Sequence, residues 1–269
     1  MIVLLKQKTM KTISKQSKVN KRDLEQRVKD MYKKVALHPE VEYHFEMGRK
    51  LAERLGYPSS ILDQIPKKAI DSFAGVGYFF DFAQLKKGEV VVDLGSGSGL
   101  DVFFAALKVG ENGEVIGIDM TQEQLDKSMT LSIDGGFKQV TFREGYIEEL
   151  PVKSNSIDCV ISNGVINLSS DKEKVFQEAA RVLKTGGKLV LSDIVSKVEL
   201  PENISCDATL WAACIGGAMQ EDAYKQLIEE AGFEIKNIKE NPYSFISKSA
   251  QGATMEYGIK SISLLAIKE

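Results

Sequence analysis

The segment Val91-Val92-Asp93-Leu94-Gly95-Ser96-Gly97-Ser98-Gly99 carries the densest chemical signal in the chain. An apolar, β-branched run leads into three glycines at alternate positions. Glycine lets a backbone turn tightly and lets a ligand approach without meeting a Cβ. Spacing then narrows the ligand. A nicotinamide-type G-x-G-x-x-G fails, because the sixth position is Leu100 counted from Gly95 and Val102 counted from Gly97. A phosphate-cradling loop would end in Gly-Lys-Ser/Thr, and that ending is missing. Asp93 would repel a phosphate and suits a cationic ligand. A second acid, Asp119, closes the run Ile116-Gly117-Ile118-Asp119-Met120, twenty residues past Gly99. At the end of a second strand such an acid accepts hydrogen bonds from both ribose hydroxyls. Its other reading is a cap for the helix that follows. Met120 packs on an adenine face or joins the core.

Cysteine and histidine are the other reactive types. Cys159 lies inside an apolar strand and reads as core. Cys206 and Cys214 share one later segment. In a single helix they would stand about two turns, roughly 12 Å, apart, too far to share an ion. A loop between them would bring them together. His38 and His44 sit in Leu37-His38-Pro39-Glu40-Val41-Glu42-Tyr43-His44-Phe45 and are candidates for a base. His-x5-His is no standard ligand spacing, so no metal site is expected, even with Glu40 or Glu42 nearby. Tyr32 and Tyr78 read as the mouth of a site or as packing. Trp211 reads as a pocket wall or as an anchor.

Elements must position these residues. Asp23 is a candidate cap for a helix with Leu24, Val28, Met31 and Val35 on one face. The pattern predicts a second helix over 41–55, ended by Gly56-Tyr57-Pro58, and a loop at Phe73–Gly77. From Gly88 the rhythm becomes β-α-β-α. Strands are predicted at 89–94, 114–118, 140–143, 157–162 and 188–193, with helices at 100–109, 122–133 and 172–183 between them. Residues 199–232 read as helical with no strand, and 233–239 and 261–268 as two closing strands. The fold class is α/β, a doubly wound Rossmann-like sheet of seven strands with a helical N-terminal cap and a helical lid insertion.

On these residues the chain resembles the class I S-adenosylmethionine-dependent methyltransferases over roughly 86–195. The resemblance rests on the D-x-G-x-G-x-G loop, the Gly-Ile-Asp ending, Gly145–Pro151, Asp158–Asn163 and Ala180–Gly187. It implies S-adenosyl-L-methionine as cofactor, released as S-adenosyl-L-homocysteine. Asp93, Gly95, Ser96, Gly97, Gly99, Asp119 and Met120 would bind it. Tyr146, Ile147 and Glu148 would border the adenine, and Ser162 and Asn163 would face the methionine part. The implied division is a basic flexible tail at 1–22, the cap at 23–85 and the cofactor-binding core at 86–198. The acceptor lid spans 199–232, and closing strands span 233–269.

A narrower resemblance is to arsenite methyltransferases. It is carried by Gly117–Thr121, Gly145–Glu148, Val160–Leu168 and Leu210–Ala218. It implies arsenic held by thiolates, a soft centre on soft ligands, with Cys214 and Cys206 as candidate acceptor ligands. A small thiol would assist. The chain departs from that family in having Gly164 where the family has Cys, and in lacking any Cys before Cys159. The alternative acceptor is a small organic O, N or C nucleophile, with His44 as candidate catalytic base. A further alternative is a cofactor-binding protein without catalysis.

Composition bounds these readings. A formal charge of −3 argues against a nucleic-acid partner, which selects strongly basic chains. No apolar run nears the roughly 18 residues of a membrane helix. Three cysteines are no disulfide framework, which suits a reducing cytoplasmic setting. The lysines and arginines between Lys6 and Arg22 read as a solvated tail. Nothing in the pattern sets an oligomeric state.

Overall fold

A computed structural model describes residues 21–205, 211 and 215–269. The basic tail up to residue 20 lies outside the described residues, and so do Cys206 and Cys214.

The strands are β1 (Val90–Leu94), β2 (Glu114–Asp119), β3 (Val140–Glu144), β4 (Ile157–Asn163), β5 (Leu183–Ser196), β6 (Met219–Gln220), β7 (Phe233–Glu240) and β8 (Lys260–Lys268). They form one sheet in the order β3-β2-β1-β4-β5-β8-β7, and the two-residue β6 pairs with β5 off that path. Strands β1 to β5 pair in parallel, and β8 runs antiparallel between β5 and β7. The seven-stranded path agrees with the sequence reading.

Alternation within each strand explains the double winding. Val91, Ile161 and Val190 face a core shared with the Leu100–Val109 helix and the N-terminal helices. Val92, Val160, Leu189 and Leu191 face the opposite core, with Val175, Phe176 and Tyr224. Successive side chains point to opposite faces, so a strand covered on both sides must be apolar throughout. Cys159 belongs to the first core, and burial pushes its thiol up to about 12. It is packing, as read from the sequence.

The first helix, Lys21–Leu37, buries Leu24, Val28 and Val35 and packs on the Gln122–Asp134 helix. Four differences from the sequence reading follow. The second helix is Arg49–Leu55 only, because Gly48 at φ +84° breaks the run that begins at Val41. Strand β5 starts at Leu183, and residues 184–187 bulge between the Ile157–Leu183 and Cys159–Lys188 pairs, with Gly186 at φ +76°. Within 199–232, β6 adds a short parallel strand. Helix Lys248–Tyr257 was not predicted, although Ser247 accepts from the Ala250 amide and Gly258 closes the helix at φ +64°.

Candidate active site

The β1-to-helix connection is built by three left-handed glycines, Gly95 (φ +69°), Gly97 (φ +52°) and Gly99 (φ +96°). At Gly95 a Cβ would stand 2.5 Å from Val165 Cγ1. The Ser96 amide donates to the Ile118 carbonyl (2.9 Å), which ties the loop to β2. Asp119 ends β2 and organises both neighbours. Its Oδ2 accepts from the Gly97 amide (2.9 Å) and its Oδ1 from the Thr121 amide (2.8 Å). Burial raises the Asp119 carboxyl above its ordinary range, against the pull of those backbone amides.

These elements open a cavity of about 490 Å³ at the C-terminal ends of β1, β2 and β4. That is the site a doubly wound sheet offers at its topological switch point, within the usual size of a ligand pocket. Of the residues singled out in the sequence, Asp93, Gly95, Ser96, Gly97, Gly99, Asp119, Met120, Tyr146, Ile147, Glu148 and Asn163 line it. Glu148 accepts from Ser169 Oγ at 2.5 Å. Tyr146 is exposed and accepts from Lys29 Nζ at 2.7 Å. Tyr32 also lines the cavity.

Charge is its dominant property. Among the described residues seven acids line the cavity, Glu25, Asp93, Asp101, Asp119, Glu148, Glu149 and Asp171, against one lysine, Lys174. Burial holds Asp93 well above the usual carboxylate range, and Asp101 and Asp119 add to that. Ser96 lines the cavity, while its Oγ is buried against β2, 2.7 Å from where a Cβ on Gly117 would stand.

Three sequence candidates fall elsewhere. Ser162 does not line the cavity; its hydroxyl donates to the Leu94 carbonyl across the sheet (3.3 Å). The turn of the strand that presents Asn163 points Ser162 the other way. His44 is half-buried against Phe45, edge to face at 4.8 Å, away from the cavity lining. Tyr78 packs against Tyr57, Phe80 and Phe104. Trp211 is buried, and its indole donates to the Leu168 carbonyl (3.1 Å) beside the cavity.

Sequence reasoning missed Asp101 and the wall made by Phe73, Ala74 and Gly75, and it missed Tyr57, which donates to Asp101 from behind the lining. Asp101, two positions past Gly99, was a readable signal. Tyr57 was not, because it reaches the site across 44 residues.

The sheet order, the glycine loop after β1 and the acid ending β2 define the class I methyltransferase fold. Residues 85–232 match the family model described as a methyltransferase domain, so the chain belongs to the methyltransferase family, whose members here use S-adenosylmethionine. Its similarity to particular relatives is narrower. It is 40% identical over 198 residues to an arsenite methyltransferase of Halobacterium salinarum, covering 73% of this chain and 50% of that one. It is 45% identical over 152 residues to the human arsenite methyltransferase, covering 53% and 40%. The chain thus spans about half the length of these curated relatives or less. A solved arsenic(III) S-adenosylmethionine methyltransferase from Chlamydomonas reinhardtii superposes with a TM-score of 0.65 at 31% identity, covering 78% of this chain and 72% of that one.

Proposed function

We propose that this chain transfers methyl groups from S-adenosylmethionine to a small, soft acceptor, and that trivalent arsenic is that acceptor. The observation that carries the cofactor half is the acid-rich cavity, lined among the described residues by seven acids and one lysine. The left-handed glycine cradle fits the same cofactor. When bound, S-adenosylmethionine supplies a methyl group on a positively charged sulfur.

In this reading Gly95, Ser96, Gly97 and Gly99 hold the cofactor by their backbone, and Asp119 takes the ribose hydroxyls. Met120, Tyr146, Ile147 and Glu148 border the base, and Asp93 and Asn163 stand at the methionine end. The helix over the cavity, through Leu24, Val28 and Tyr32, excludes water. The acceptor half rests on the similarity to arsenite methyltransferases. Cys214 and Cys206 would hold arsenic, with a small thiol completing its coordination. Free thiols suit a reducing, cytoplasmic setting. An arsenic lone pair carries no proton, so the enzyme's work is proximity and orientation rather than base catalysis. His44 is then not needed, which fits its place outside the cavity lining.

A small organic acceptor is the second reading. Gly164 favours it, standing in the left-handed region at φ +73° where the related family carries cysteine. A Cβ there would meet Val76 Cγ1 at 3.1 Å.

The test is arsenic speciation by chromatography with elemental detection after incubation with arsenite, cofactor and glutathione. Methylated arsenic is expected, sharply reduced in Cys214→Ser. Full activity in that variant would reject the cysteine role. No methylated arsenic, with methyl transfer to an organic thiol or amine, would establish the second reading.

A further inference from the structure

Three side chains from separate parts of the chain close a hydrogen-bonded triangle beside the glycine loop. Tyr57 OH donates to Asp101 Oδ1 at 2.5 Å. Asn163 Nδ2 donates to Asp101 Oδ2 and to Tyr57 OH, each at 3.0 Å. Asn163 Oδ1 accepts from the amides of Val76 (2.8 Å) and Gly77 (3.3 Å), which continue the cavity wall from Gly75. Tyr57 is fully buried, and Asp101 is 5% exposed yet lines the cavity. Both carboxylate oxygens therefore meet fixed donors, an arrangement that favours the ionised form.

We propose that Tyr57 and Asn163 hold the Asp101 carboxylate as a charge-selective wall that makes the site prefer a sulfonium cofactor to its neutral thioether product. The inference rests on the cofactor reading above. The wall faces the same cavity as the glycine loop, since Asp101 and Asn163 both line it. The selectivity follows from the reaction. Methyl transfer removes the positive charge from the cofactor sulfur. The amino-acid ammonium and carboxylate are common to both ligands, so a buried, ionised carboxylate discriminates between them through the sulfur charge, and partial exclusion of water strengthens the difference. The wall thus favours capture of the substrate form and release of the product form.

Protonation of Asp101 would switch the preference off. The groups facing it are Tyr57 and Tyr78 from the N-terminal segment, Asp93 on β1, with Asp119 on β2 beyond it, and Asn163 on β4. Burial pushes the Asp101 carboxyl up to about 6, while the hydrogen bonds from Tyr57 and Asn163 pull it down. Removing the tyrosine hydroxyl would raise it further.

The experiment titrates S-adenosylmethionine and S-adenosylhomocysteine separately into the wild type, Asp101→Asn and Tyr57→Phe, from pH 8 down to pH 5.5. In Asp101→Asn the affinity ratio should fall about tenfold, mostly through weaker binding of the sulfonium ligand. In Tyr57→Phe the acid-side loss of sulfonium affinity should begin about one pH unit higher, the scale of one hydrogen bond to a charged group. A merely structural strut would weaken both ligands by one factor and leave the acid limb in place, and that pattern in either variant overturns the proposal. If the wild type binds neither ligand, the cofactor reading itself is refuted and this inference goes with it.

Discussion

Substituting Asp119 tests the site most directly, because one carboxylate is asked to do two jobs. It accepts from the Gly97 amide at 2.9 Å and from the Thr121 amide at 2.8 Å. In the proposed complex it also accepts from two ribose hydroxyls. Asp119→Ala removes all four bonds. Each buried donor left unpaired costs roughly 1–3 kcal/mol, so the two amides together cost about 2–6 kcal/mol of folding stability. For a chain of this length that is a fall in melting temperature of about 4–12 °C. The ribose bonds are to a charged acceptor and contribute about 3 kcal/mol or more together, so cofactor affinity should fall about a hundredfold or further. Asp119→Asn separates the jobs. Its amide oxygen still accepts from one backbone N–H, so more stability survives. Its NH2 group donates where the ribose needs an acceptor, so affinity stays low. Calorimetric titration with S-adenosylhomocysteine gives the affinity, and thermal unfolding of the unliganded protein gives the stability. Affinity within about threefold of wild type in Asp119→Ala would refute the ribose role, since that corresponds to less than 1 kcal/mol.

Gly95→Ala should destabilise the protein by about 1–2 kcal/mol from the left-handed backbone alone, with a further cost from the Val165 methyls 2.5 and 2.6 Å away. Val165→Ala should recover part of the clash but none of the backbone cost, and simple additivity in the double mutant, measured by urea unfolding, would show that the clash is absent. Asp193 gives a pH signature. Burial pushes its carboxyl up to about 6, although Tyr224 OH (2.7 Å) and the Ile194 amide (2.9 Å) favour its ionised form. The folded protein then holds a proton that the unfolded chain releases above about pH 4, so this group's contribution to stability falls as pH rises from about 4 to about 6, by about 3 kcal/mol in all. Asp193→Asn should flatten that slope in urea midpoints measured across the window, and an unchanged slope would mean that Asp193 does not titrate there.

Local pattern made much of the architecture legible. Strands β1, β2, β4 and β5 are apolar on both faces, so their type and order follow from composition along the chain. The glycine loop and Asp119 stand out because their chemistry needs residues close in sequence: a turn, then an acid one helix and one strand later. The Lys248–Tyr257 helix escaped notice because Gly252 interrupts a short, weakly apolar run, and its two caps are the main signal. The run from Val41 to Gly48 looked helical from its periodicity, yet Gly48 at φ +84° and the packing of Tyr43, His44 and Phe45 against one another keep it irregular. Phe45 also stacks on Tyr32 of the first helix, a contact across thirteen residues that a short window does not describe.

The sequence alone determined the sheet, the position of the glycine cradle and the pair of acids Asp93 and Asp119, because each depends on short-range periodicity or spacing. Tertiary structure alone decided which neighbouring residues share the cavity. It turned Ser162 toward the Leu94 carbonyl and left Asn163 at the lining, one residue apart on the same strand. It moved His44 out of the lining, and it brought Tyr57 to Asp101 across 44 residues and Asn163 to Asp101 across 62. Those meetings are set by how helices and loops dock on a sheet, a long-range packing outcome. The acid-rich lining is such an outcome too: a chain with a net charge of only −3 places seven acids, among the described residues, around one cavity.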